Sequence, residues 1–327
     1  MTFKILQEHT SFCIPEQHLS SLPQSVTTRI KGPSPTRALK GFNTPGISFP
    51  TWTSPPGINS KGFSHFLRKI NDLGRDYNSA STLDTIQGII QVVDDLLENS
   101  EDLETQPSSE QNCVASNLLL IVEHVLRKLS TALSNESLTF TTAGGTELSV
   151  KVMEQGQRNI TLSVNQAKML LNLDAVQESG PSVVSLVSTP GIGKLMAEAP
   201  LVLDTEEQAV LHETHKGLLH EVSPILLSDV VSVVVSNNDP QNLSSSVTFI
   251  FQHSVTPEPK QKAFCVFWEH GQNRSGYWST KGCWVVGTRD TSTTCQCTHL
   301  SSFAVLMAHY DVQVRALRGL HSVSIAV

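Results

Sequence analysis

Cys295-Gln296-Cys297-Thr298-His299-Leu300-Ser301-Ser302-Phe303, running on into Ala304-Val305-Leu306-Met307, is the stretch from which the rest of the chain can be read. A histidine stands two residues before a serine, with cysteines just upstream and an apolar, strand-like run just downstream. A serine hydroxyl is a weak nucleophile until a base takes its proton, and an unperturbed imidazole, with a pKa near ~6.5, can do so at neutral pH. Attack by Ser301 on the carbonyl carbon of Leu300 would turn the peptide bond into an ester that water then hydrolyses. In a straight strand the two side chains would share a face roughly 6.5 Å apart, at a rise of ~3.3 Å per residue, too far for a hydrogen bond. The reading therefore requires a kink at Leu300. Such a kink costs of order 1–3 kcal/mol and needs surroundings that hold it, which crosslinks at Cys295 and Cys297 would supply. His-Leu-Ser alone is a common tripeptide, so the weight rests on what surrounds it.

Upstream lie Cys265-Val266-Phe267-Trp268, Gly276-Tyr277-Trp278 and Cys283-Trp284, placing four of six cysteines and three of four tryptophans within 265–297. This arrangement closely resembles the proteolysis-site (GPS) motif of adhesion G-protein-coupled receptors, in the subgroup with EGF-like modules before a seven-helix domain. In that family the motif closes a larger autoproteolysis-inducing (GAIN) domain, and the resemblance covers roughly residues 60–311. It implies that His299 is the base, Leu300 the carbonyl donor and Ser301 the nucleophile, where the family more often has threonine. It implies the disulfides Cys265–Cys295 and Cys283–Cys297, a choice the sequence alone leaves open among three pairings. It further implies one self-cleavage per chain rather than enzymatic turnover. The strand from Ser301 would stay bound as a tethered agonist carried by Phe303, Leu306 and Met307. Its partners would be this C-terminal fragment itself, the seven-helix domain of the full-length family, and cell-surface or matrix ligands.

Composition fits an extracellular or cell-surface setting. Four Asn-x-Ser/Thr sequons, at Asn135, Asn159, Asn242 and Asn273, are compatible with glycosylation in the compartment where disulfides persist. With 327 residues, 39% hydrophobic and a net charge of −7, the chain can bury one large or two modest cores and carries no nucleic-acid footprint. Its longest apolar runs, around Leu118–Val122 and Val230–Val235, fall short of the ~18 residues that span a bilayer. Met1 to Pro15 lacks the apolar core of a signal peptide, and Val314–Leu320 does not resemble the entry to a membrane helix. With EGF-like modules and a seven-helix domain both absent, the expectation is a truncated or alternatively spliced product. Cys295-x-Cys297-x-His299 is not a Cys-x-x-Cys zinc knuckle, His212-Glu213-Thr214-His215 lacks the spacing of a metalloprotease helix, and Gly191-Ile192-Gly193-Lys194 lacks residues a phosphate loop needs. No metal and no cofactor is expected.

The fold class read from the pattern is α+β: a small helical subdomain, then a twisted antiparallel β-sandwich ending in the disulfide-bonded motif. Residues 1–60, rich in Ser, Thr, Pro and Gly, read as an irregular leader, with Cys13 as a remnant without a partner. Over 61–134 three stripes recur at helical spacing: Phe63, Phe66, Ile70 and Leu73; Ile86, Ile89, Ile90, Val93, Leu96 and Leu97; Leu118, Leu119, Val122, Val125, Leu126 and Leu129. From 135 to 311 the period shortens to two, with strands expected at 138–140, 148–152, 160–162, 183–187, 230–235, 247–251 and 265–267, and the motif at 265–311. Residues 312–327 are an atypical tail. Three function classes follow: a self-cleaving receptor ectodomain, a non-cleaving soluble decoy or adhesion module, and a metal-dependent hydrolase.

Overall fold

The computed structural model describes residues 47, 49–78, 81–133, 137–153, 159–172, 182–214, 218, 223–236, 243, 245–256, 261–271 and 275–310. The apolar stripes at 61–134 become helices α1 (Lys61–Arg75), α2 (Thr82–Glu98) and α4 (Ser108–Ser130), with a one-turn α3 (Glu101–Glu104) between the last two. Ser60 starts α1 by accepting the Phe63 N–H at 2.9 Å, and the face it sets carries Phe63, Phe66, Leu67 and Ile70 inward.

Fourteen strands follow: β1 (Leu138–Thr141), β2 (Glu147–Val152), β3 (Asn159–Val164), β4 (Ala167–Asn172), β5 (Val183–Ser188), β6 (Leu201–Val202), β7 (Ile225–Leu226), β8 (Val231–Val235), β9 (Val247–Gln252), β10 (Gln261–His270), β11 (Gly276–Ser279), β12 (Cys283–Arg289), β13 (Ser292–Cys297) and β14 (Ser302–His309). A nine-stranded sheet runs β1-β2-β5-β8-β14-β10-β11-β6 with β7 also on β14, and a five-stranded sheet runs β12-β13-β9-β4-β3. Among the described residues every ladder is antiparallel except β6 on β11. Two elements interrupt the strands where none was expected. A 3-10 helix covers Pro190–Met196, taking in Gly191–Lys194, and α5 covers Thr205–Thr214, placing His212 and Glu213 exposed on a helix.

The result is three layers with two cores. One core fills the space between the helices and the nine-stranded sheet, and the other fills the space between the two sheets. β14 lies inside the middle layer, flanked by β8 and β10. Its Ala304, Leu306 and Ala308 enter the helical core while Phe303, Val305 and Met307 enter the inter-sheet core. Burial on both faces is why this strand reads as an unbroken apolar run rather than an alternating one. Among the described residues no helix is long and apolar enough to cross a membrane.

Candidate functional site: the crossing between the two sheets

β13 belongs to the five-stranded sheet and β14 to the nine-stranded one, so the chain must change sheets between Cys297 and Ser302. Packed sheets lie ~10 Å apart, and only Thr298, His299, Leu300 and Ser301 span the gap. The ladder stops and the backbone bends at Thr298, His299 and Ser301. The kink has a topological cause.

The upstream end of the crossing is pinned twice. Cys283–Cys297 joins β12 to β13 with Cα atoms 4.2 Å apart, and Cys265–Cys295 ties β13 to β10 across the two sheets with Cα atoms 5.7 Å apart. With these sulfurs bonded to one another, no thiolate remains for zinc, and no metal-ligand cluster occurs among the described residues. Cys113 is also disulfide-bonded, while Cys13 lies outside the described residues. Inside the crossing, the Thr298 N–H donates to the Gly282 carbonyl at 2.9 Å, and the Thr298 carbonyl accepts from the Leu243 N–H at 3.0 Å. Gly282 takes φ +70°, and a Cβ there would stand 2.7 Å from Thr298 Oγ1 and 3.5 Å from His299 Nδ1. Glycine is required on both counts.

His299 rests its ring edge-on to Phe267, with centroids 4.1 Å apart, and lies 5.7 Å from the Phe303 ring. Burial pushes its imidazole below the ordinary histidine value; Glu269 opposes this and Lys281 adds to it. Its Nε2 is buried without a hydrogen-bond partner. Leu300 is buried, with 6% of its surface exposed. Ser301 donates its hydroxyl to the Trp268 carbonyl at 3.3 Å, and its own carbonyl accepts from the Val233 N–H at 3.1 Å. Sequence reasoning named His299, Leu300 and Ser301, which the structure places in one turn, but missed the Trp268 carbonyl and Gly282. A backbone acceptor leaves no signal in sequence, whereas the Lys281-Gly282-Cys283 turn could have suggested a positive φ.

The three residues expected to carry the downstream strand are all buried: Phe303 and Met307 toward the second sheet, Leu306 toward the helices. Phe303 packs on Phe249 with centroids 4.7 Å apart. Of the sequons, Asn159 stands exposed at the start of β3, and Asn135, Asn242 and Asn273 lie outside the described residues.

The family model for GPS, GAIN subdomain B, matches residues 104–311. The human adhesion G protein-coupled receptor E2 is 60% identical over 271 residues, covering 82% of this chain and 33% of the receptor. The bovine adhesion G protein-coupled receptor E5 is 42% identical over 286 residues, covering 86% of this chain and 39% of that protein. A solved structure, the full extracellular region of zebrafish Gpr126/Adgrg6, aligns with 78% of this chain and 35% of its own at 16% identity and a TM-score of 0.42, too loose a likeness to add to the fold above. The chain thus spans about a third of the length of the curated relatives it matches. A match over most of the chain, taking in the sheet-to-sheet crossing, makes this protein a member of the adhesion G-protein-coupled receptor family that carries its GAIN domain and GPS motif.

Proposed function

We propose that this domain cuts itself once, between Leu300 and Ser301, and then holds the strand beginning at Ser301 in its middle sheet. The observation that carries the reading is the crossing itself: four residues bridging two sheets, anchored by disulfides, with His299 and Ser301 on either side of a buried Leu300. His299 would take the Ser301 proton, Oγ would close on the Leu300 carbon, and the amine of Ser301 would leave with that proton. Water would then hydrolyse the ester. Cleavage of this kind is a single event and not enzymatic turnover. In the full-length family the retained strand would serve the seven-helix domain as a tethered agonist through Phe303, Leu306 and Met307. The setting is the extracellular side of the cell surface, with cell-surface or matrix ligands as external partners and no nucleic acid.

A second reading, a folded adhesion module that does not cut, is favoured by one specific contact. The Ser301 hydroxyl is engaged by the Trp268 carbonyl, and His299 Nε2 has no partner. Attack therefore needs the hydroxyl to turn away from Trp268 first. A denaturing gel of the purified chain beside Ser301→Ala separates the two readings: the first expects a short C-terminal fragment that the variant lacks. Equal cleavage in both, or none in either, supports the other reading or a different cut site.

A further inference from the structure

The cleavage turn places an imidazole where its charged form would be poorly accommodated. His299 is walled by Phe267 and Phe303, and its buried Nε2 meets no acceptor. Once it has taken the Ser301 proton, it carries a positive charge in that apolar wall until the proton passes to the leaving amine. A carboxylate stands on the same wall. Glu269 lies two residues beyond Phe267 on β10 and therefore on the same face of that strand. The β10–β14 register ends at Phe267 opposite Phe303, and just beyond it the Trp268 carbonyl meets the Ser301 hydroxyl, so Glu269 is the next residue of the strand end that faces the turn. Across the other ladder Glu269 stands directly opposite Tyr277, so the two side chains share one face of the sheet. The side chain is half-buried.

We propose that Glu269 is a positioning residue for self-cleavage, serving as the counter-charge for the imidazolium that forms on His299. This rests on the cleavage reading above. In the step, the Oγ–H bond of Ser301 breaks to His299, the Oγ–carbon bond forms, the carbon–nitrogen bond breaks, and the imidazolium proton leaves with the amine. No other reactant is needed until water opens the ester. The charged groups facing His299 from its neighbours are Glu269 on β10 and, with opposite effect, Lys281 in the exposed turn after β11.

Two measurements test it. In uncut Ser301→Ala protein, the His299 ring is titrated by NMR with and without Glu269→Gln, Glu269→Asp and Lys281→Met. Glu269→Gln is expected to move the midpoint to lower pH by about half a unit or more, Glu269→Asp to hold it, and Lys281→Met to move it upward. In cleavable protein, Glu269→Gln is expected to slow the appearance of the fragment several-fold, with Glu269→Asp restoring most of the rate. An unmoved His299 midpoint, or a moved midpoint with unchanged cleavage, overturns the assignment. Should Glu269→Gln fail to fold, Glu269→Ala is titrated in its place, and an unmoved His299 midpoint there overturns the assignment. The titration does not depend on cleavage, so a wild-type chain that never cuts defeats the cleavage reading while the coupling is still measured.

Discussion

Ser301 holds its hydroxyl on the Trp268 carbonyl, and His299, two residues before it, has a buried nitrogen without a partner, so the proposed chemistry turns on which partner the hydroxyl meets. If His299 is the base, His299→Ala should cut the rate of fragment formation by about two to four orders of magnitude, the range for loss of a general base. Full-rate cleavage in that variant would remove histidine from the account. The pH dependence follows from the direction of its shift. Burial lowers the imidazole below its ordinary value, so the neutral form persists to more acidic pH than in a free histidine, which is half protonated near pH ~6.5. Cleavage should therefore stay close to its neutral rate at mildly acidic pH and fall only as pH drops through the depressed value. A rate already halved at or above the free-histidine midpoint would contradict this. Gly282→Ala forces a left-handed alanine, costing about 1–2 kcal/mol, and drives its Cβ toward Thr298 Oγ1. It should lower thermal stability and cleavage together, and an uncut but fully stable variant would show the steric argument incomplete.

β14 is an interior strand whose partners change along its length. β8 pairs with it at Ser302 and Phe303 and then departs; further on, β7 pairs with Leu306 and Met307. Between them the Leu227 N–H donates to the Val305 carbonyl at 2.8 Å, and Ser228 Oγ accepts the Val305 N–H at 2.9 Å. A side chain thus replaces a missing strand neighbour. Phe303, Val305, Leu306 and Met307 each hold about 1.5–3 kcal/mol of burial, so a cut strand should stay seated under native conditions. Ser228→Ala leaves a buried N–H unpaired at a cost of about 1–3 kcal/mol. The cut strand should then leave at lower urea concentration, as followed by size exclusion, and an unchanged release midpoint would show that Ser228 does not help retain it. At this scale the sequence was partly legible. α1, α2 and α4 showed in their stripes because each has one face on the helical core, and β14 showed in its apolar run because both faces are buried. β4 was missed because Lys168, Met169 and Leu170 carry little strand preference, although Ala167, Met169 and Leu171 do alternate inward. α5 was missed because most of its residues are exposed and no apolar stripe marks it. β7 has two residues and makes sense only against β14.

At the scale of the molecule, the helical layer reaches the crossing through β10. Trp268 donates its indole N–H to Ser116 on α4 at 2.9 Å, and the same residue offers its carbonyl to Ser301. Arg127, near the end of α4, donates to the Val235 carbonyl at 2.8 Å, and buried Asp94 on α2 accepts the Gly144 and Thr146 N–H groups at 2.9 and 3.2 Å. The helices therefore hold the middle sheet from behind while the disulfides hold the second sheet in front. Trp268→Phe, which drops the indole bond and some volume, should cost about 1–3 kcal/mol and reduce the cleaved fraction; a destabilised chain that still cuts completely would detach the helical layer from the chemistry. This long-range arrangement was the least legible part, since a side chain on α4 and a strand 152 positions away meet only in the folded state. The central claim is the cut itself, and intact-mass analysis of the denatured, unreduced chain and of its Ser301→Ala variant tests it most directly. The account predicts two masses for the wild type, one ending at Leu300 and one beginning at Ser301, and a single full-length mass for the variant. A single full-length mass for properly folded, disulfide-bonded wild type would contradict it.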